Sequence, residues 1–227
     1  MFIPFKDDNP LVAVRYQYVT VTILVVNIAI FLFFQGAITG SISEGQTLSY
    51  GVVPAVLFGS ADLAQSLVVV PSTATLVTYM FFHGGWLHLV SNMLFLWVFA
   101  DNVEDQMGHA RFALFYLLCG VGSGLIHSIT VPASQSPMIG ASGAIAGVIG
   151  AYLVMFPDRK VWVLLFVGIP VKISAVIVLG LWILTQVLSY SAGQYGDAEV
   201  AWMAHISGFF IGAVLIFVMR RRPAPGG

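Results

Sequence analysis

The chain has 227 residues, 59% hydrophobic and 8% charged, with net charge −1 and a mean hydropathy of +0.93. A soluble domain carries about 25% charged residues, so this composition excludes an ordinary soluble globular protein, and the near-neutral balance argues against nucleic-acid and acidic partners. The single cysteine, Cys119, rules out an internal disulfide; it lies mid-way along an apolar run, where packing accounts for it.

Met1 to Pro10 mixes Lys6 with Asp7 and Asp8 and lacks the basic start and small-residue cleavage site of a signal peptide. The first apolar segment is therefore expected to stay as an uncleaved anchor, after a short cytoplasmic stretch over 1–18. A membrane-crossing helix needs about 20 mainly apolar residues. Six segments meet that description, at 19–36, 84–102, 111–130, 139–156, 172–190 and 201–219. The connection 37–79 is too long for a tight loop and holds Pro54, Pro71 and apolar patches such as Val68-Val69-Val70, so it is expected to be a structured, membrane-associated loop. The apolar run from Val161 to Pro170 follows the charged turn Asp158-Arg159-Lys160 and is too short for a span; it reads as an interfacial connection. Residues 220–227 read as a cytoplasmic tail, disordered from Pro223 to Gly227. The expected fold is all-α, with a six-helix membrane core over 19–219.

Lysine and arginine favour the cytoplasmic side of a membrane. With six spans and both termini inside, all nine (Lys6, Arg15, Arg111, Arg159, Lys160, Lys172, Arg220, Arg221 and Arg222) fall there, while the opposite loops hold Glu44, Asp62, Asp197 and Glu199. The second, fourth and sixth segments then run inward from outside. His88, Ser142 and His205 stand near their starts, at similar depth below the outer surface.

Polar side chains inside lipid are costly and mark function. Ser142 stands between Gly140 and Gly143, which permit an unusual turn, and the helix start leaves backbone N–H groups for a developing oxyanion. A packed small-residue interface would also explain a serine there. His205, as a neutral imidazole, is suited to accept the serine proton and return it to a leaving amine. The stripes Gly143/Gly147 and Gly208/Gly212 let two helix backbones approach closely, which brings Ser142 and His205 together. His88 and Asn92, four residues apart on one helix face, are suitable oxyanion donors or, more plainly, interhelical glue. His83 is expected at the same wet cavity or at the interface, and His109 and His127 at loop ends. No H-E-x-x-H and no metal-ligand spacing is present, nor a pair of intramembrane aspartates, and Asp101 lies far in depth from Ser142. A Ser-His dyad without metal or organic cofactor is expected.

The stretches His83-Gly84-Gly85-Trp86-Leu87-His88-Leu89-Val90-Ser91-Asn92, Glu104-Asp105-Gln106-Met107-Gly108, Gly140-Ala141-Ser142-Gly143 and Ala204-His205-Ile206-Ser207-Gly208 through Gly212 resemble the rhomboid family of intramembrane serine proteases, over essentially all six segments. The resemblance implies a six-helix bundle with a water-filled cavity open to the outside. It implies Ser142 as nucleophile, His205 as general base, and an oxyanion hole of His88, Asn92 and the Ser142 backbone N–H. It makes Glu104 structural, and it gives substrate access to the fifth segment, where Trp182 and Ile183 are candidate gate residues. Two positions depart from the pattern. Ala146 stands where some members carry an aromatic that stacks on the histidine, so another residue must orient His205 or its ring is looser. The first loop lacks a Trp-Arg pair found in some relatives. The expected activity is cleavage of single-span membrane proteins, toward the outer face of a bacterial plasma membrane. The alternatives are a catalytically silent adaptor for membrane clients and a small transporter, the latter disfavoured because the polar groups are not at the midplane.

Overall fold

The computed structural model describes residues 2–36, 44–165, 168–192 and 201–221. In chain order the main elements are β1 (Phe2–Asp7), α1 (Tyr18–Ala29), α2 (Glu44–Tyr50), α3 (Pro54–Leu57), α4 (Thr75–Thr78), α5 (Trp86–Met107), α6 (His109–Thr130), α7 (Ser142–Met155), β2 (Lys160–Leu165), β3 (Ile169–Ser174), α8 (Ala175–Ser191) and α9 (Trp202–Met219). Asp197, Glu199, Arg222 and the tail from Pro223 lie outside the described residues.

Long helices occupy the six expected segments. α6 and α9 are long and apolar enough to cross a membrane; α7 and α8 are apolar but shorter, as is α1 with its continuation through Phe34. α5 matches α6 in length but carries Asp101, Glu104 and Asp105. Crossing length and apolarity are thus met together at two of the six.

α7 is the centre of the bundle. Every residue from Gly143 to Tyr152 is buried, and the helix packs against α9, α6 and α5. A helix that is apolar all round belongs in such a position. The closest seat is between α7 and α9. A methyl group on Gly208 would overlap the Gly143 carbonyl, one on Gly212 the Gly147 carbonyl, and one on Gly150 the Phe209 carbonyl. The two glycine stripes expected from the sequence do face each other.

The all-α expectation needs one correction. β1, β2 and β3 form an antiparallel sheet in that order, with Phe2 opposite Leu165 and Lys160 opposite Ser174. The interfacial connection read at 161–170 is therefore most of a hairpin, and α8 begins at Ala175 rather than 172. Val161 and Val163 are fully buried under the sheet, which is the alternation of a half-buried strand. Charges fasten its rim. Lys172 pairs with Asp8 at 2.9 Å and lies 4.6 Å from the Trp162 ring centroid. The bond to Lys172 holds the Asp8 carboxyl below the usual range. Burial pushes the Asp7 carboxyl up, although the Tyr152 hydroxyl donates to it at 2.6 Å.

Two buried carboxylates at the end of α5 fix the chain leading into α1. Asp105 Oδ1 accepts the backbone N–H groups of Val12, Ala13 and Val14 at 2.6–3.1 Å. Glu104 accepts from Val19 N, Thr20 N and Thr20 Oγ1, and lies 2.6 Å from His109 Nδ1. The first-turn N–H groups of α1 have no partner within the helix, so Glu104 serves as its cap. Through these bonds Glu104 ties α5 to α1 and to His109, the first residue of α6. Gly108, with φ +78, makes the turn between α5 and α6, and the Arg221 guanidinium crowds the space a side chain would fill. Glu104→Ala strands these N–H donors, and charge-assisted bonds are each worth about 1.5–3 kcal/mol. A loss of roughly 3 kcal/mol or more in unfolding free energy is expected in detergent, with Glu104→Gln intermediate because one oxygen acceptor remains; a melting curve unchanged in both variants refutes the capping role.

Candidate active site

The turn that presents Ser142 is held from outside α7. Gly140 has φ +122, a conformation side-chain-bearing residues rarely adopt, and donates its N–H to the Tyr79 carbonyl at 2.9 Å. Met138 pairs with Val52 through two backbone bonds, Val52 N to Met138 O and Met138 N to Val52 O, at 2.9 and 2.8 Å. The long first connection is thus structured where it is described, and it supports the serine turn. Below it, the Tyr79 hydroxyl donates to the Gly120 carbonyl at 2.8 Å, and Ser123 Oγ occupies the space that a side chain at Gly143 would need.

Ser142 Oγ lies 2.8 Å from His205 Nε2. Sixty-three positions separate them in sequence; the α7–α9 glycine seat joins them in space. A hydroxyl hydrogen-bonded to an imidazole nitrogen is the geometry of a nucleophile and its base. On the other ring nitrogen, His205 Nδ1 lies 2.8 Å from Gln186 Oε1, on α8.

His88 sits across Gly140 from the serine. A methyl group on Gly140 would lie 2.6 Å from His88 Nε2 and 3.7 Å from Ser142 Oγ, so glycine is required for the two to approach. The Gly84 N–H donates to His88 Nδ1 at 3.2 Å. In a neutral ring that acceptor assignment leaves the proton on Nε2, the nitrogen beside Gly140. Asn92 is buried one turn further on, and its amide donates to the His88 carbonyl at 2.8 Å. One of its two N–H groups is thus used within α5. His83 is fully buried, with its ring 5.1 Å from that of His88, and its backbone N–H and carbonyl are both bonded to the Gln35 amide at 2.9 Å. Its ring is packed against His88, away from the protein surface.

Ala146 is fully buried, and its methyl is 3.3 Å from where a Gly208 side chain would begin. With alanine here, no ring from α7 stacks on His205. The His205 ring is held from the other side instead. Trp182 of α8 lies 5.9 Å away between centroids, Trp202 of α9 meets it edge-on at 6.2 Å, and Gln186 bonds to it. The sequence reading missed Gln186 and Trp202. A signal for Gln186 was present, because it is one of few polar residues in the apolar fifth segment and such residues are functional by default. Trp182, a candidate gate residue, is also a neighbour of the histidine. Among the described residues no group of three or more His, Cys, Asp or Glu could hold a metal ion.

Residues 71–222 match the family model described as the Rhomboid domain. The chain belongs to the rhomboid family. It is 32% identical over 196 residues to Rhomboid protease GluP of Bacillus subtilis, covering 86% of this chain and 35% of GluP. It is 30% identical over 166 residues to Rhomboid-like protein 11, chloroplastic, of Arabidopsis thaliana, covering 68% of this chain and 55% of that protein. RHOMBOID-like protein 5 of the same plant is 32% identical over 151 residues, 66% of this chain and 45% of its own length. The chain thus spans about half or less of the length of these relatives. Rhomboid proteins are integral membrane proteins, so this is a membrane protein.

Proposed function

We propose that this rhomboid is an intramembrane serine endopeptidase whose substrates are single-span membrane proteins. The 2.8 Å bond between Ser142 Oγ and His205 Nε2 carries the reading. In the proposed reaction Ser142 Oγ attacks the scissile carbonyl carbon while its proton passes to His205 Nε2. The carbonyl oxygen becomes an oxyanion, met by the N–H on His88 Nε2, the remaining N–H of Asn92 and the Ser142 backbone N–H. Collapse of the tetrahedral intermediate breaks the C–N bond, and His205 returns the proton to the leaving amine. Water then attacks the acyl carbon while His205 Nε2 takes its proton; the acyl C–Oγ bond breaks, the carboxylic acid leaves, and His205 returns the proton to Ser142 Oγ. No metal or organic cofactor takes part.

The setting supports action within a bilayer. Phe210, Val214, Phe217 and Val218 leave a broad apolar face on α9 that water would not tolerate at this size. α7 has 14 residues, a rise of about 21 Å against a hydrocarbon core of about 30 Å. A helix this short leaves its first residue, Ser142, below the membrane surface. In this reading all six long helices cross, the sheet and both termini are cytoplasmic, and the serine opens toward the outer face of a bacterial plasma membrane. Helical substrates bury their peptide carbonyls in hydrogen bonds, so spans with Gly, Ala or Ser near the cut and helix-weakening residues beyond it are preferred.

The test is cleavage of a reporter span by the purified protein in liposomes; an intact reporter across a panel of such spans refutes the protease reading and favours a client-binding adaptor. Within that assay, Asn92→Ala and His88→Ala are each expected to lower kcat by up to about 10²–10³, the scale of one oxyanion donor. A change confined to KM would make either a binding residue instead.

A further inference from the structure

We infer that Gln186 is a positioning residue that fixes the tautomer of His205, an inference that rests on the protease reading and deepens it. The sense of the Gln186 amide is set by its neighbours. Its nitrogen donates to the Trp182 carbonyl at 3.2 Å and to Thr185 Oγ1 at 3.0 Å. The Thr185 hydroxyl spends its own proton on that same carbonyl, at 2.6 Å, so its oxygen is left to accept. A flipped amide would press its oxygen against two acceptors and its N–H₂ against His205. Oε1 therefore faces His205 Nδ1, at 2.8 Å, and a carboxamide oxygen can only accept. That places the ring proton on Nδ1.

A neutral imidazole carries one proton, so Nε2 is left with its lone pair directed at Ser142 Oγ. The opposite tautomer would set two acceptors against each other at Gln186 and a ring N–H against the hydroxyl that must lose its proton. Gln186 is buried, so water does not readily replace it. During reaction His205 becomes a cation, and a bond from a charged donor is about twice as strong as a neutral one. The same carboxamide then stabilises the protonated base without bringing a permanent charge into the bundle. It fills the place a carboxylate holds in a Ser-His-Asp triad, and it comes from a third helix, α8, while serine and histidine come from α7 and α9.

Three variants in liposomes separate this role from simple helix packing. Gln186→Leu keeps the volume and removes the acceptor; kcat is expected to fall about tenfold, the scale of one hydrogen bond, with KM unchanged. Gln186→Glu restores an oxygen and is expected to recover most of the turnover, whereas Gln186→Met is expected to behave like leucine. Nitrogen-15 spectra of the His205 ring, assigned against His205→Asn, supply a readout independent of activity. Wild type is expected in the Nδ1–H form, and Gln186→Leu as a mixture. Full kcat in Gln186→Leu overturns the inference, and so does a kcat loss with the Nδ1–H form intact. If wild type cleaves no reporter, the protease reading fails by itself, and the ring spectra still decide whether Gln186 sets the tautomer.

Discussion

Ser142→Ala is expected to reduce reporter cleavage to background, a fall of 10⁴-fold or more on the scale of nucleophile removal in serine hydrolases, while leaving the melting transition close to wild type. The asymmetry follows from what the side chain does. In the folded protein Ser142 Oγ is bonded to His205 Nε2, and loss of one such bond is worth about 1 kcal/mol. The turn that carries it is held by Gly140, Tyr79 and the Val52–Met138 pair, none of which uses the hydroxyl. A fluorophosphonate probe gives a second readout: wild type is expected to label covalently, and Ser142→Ala and His205→Ala are not. Undiminished turnover of Ser142→Ala would move the nucleophile elsewhere. Labelling of His205→Ala at the wild-type rate would leave the serine reactive but strip the histidine of its role.

Gly212→Ala is expected to be the most damaging single-methyl change outside the dyad. The added carbon would overlap the Gly147 carbonyl and come within 2.5 Å of its Cα, and backbone cannot swing aside as a side chain can. Overpacking of this kind costs about 1–3 kcal/mol. The displaced helix is the one that carries His205, two turns away, so cleavage is expected to fall with stability. Gly180→Ala provides the contrast. Nothing lies within 4 Å of the methyl it would add on α8, and replacing a helix-interior glycine by alanine gains roughly 0.5–1 kcal/mol. Melting temperatures should therefore move in opposite directions. Equal behaviour of the two variants would mean that α7 and α9 do not touch backbone to backbone.

The helices and the serine–histidine meeting were legible for the same reason. Apolar runs mark long buried segments, and glycine at four-residue spacing marks where two of them can close. The sheet was not legible, because strand pairing is non-local: β1 meets a partner more than 150 positions away, and Lys160–Leu165 by itself is a short apolar run with no distinct period. The matching charges of Asp8 and Lys172 are only meaningful once the strands are known to pair. Gln186 was legible as an anomaly but not as a partner. Its role depends on α8 turning that face toward α9, and the mostly apolar sequence of α8 does not specify a rotation.

The pairing of β1 with β2 also imposes an order of events on synthesis. The first strand leaves the ribosome with nothing to bond to, and its partner is not made until Leu165 has been added. Asp105, which gathers the turn before α1, also comes some ninety residues late. Contacts this distant in sequence close after local helices form. The amino-terminal arm must therefore wait for its partners in turn: the chain entering α1 is gathered once Glu104 and Asp105 have been made, and β1 pairs only when the hairpin arrives.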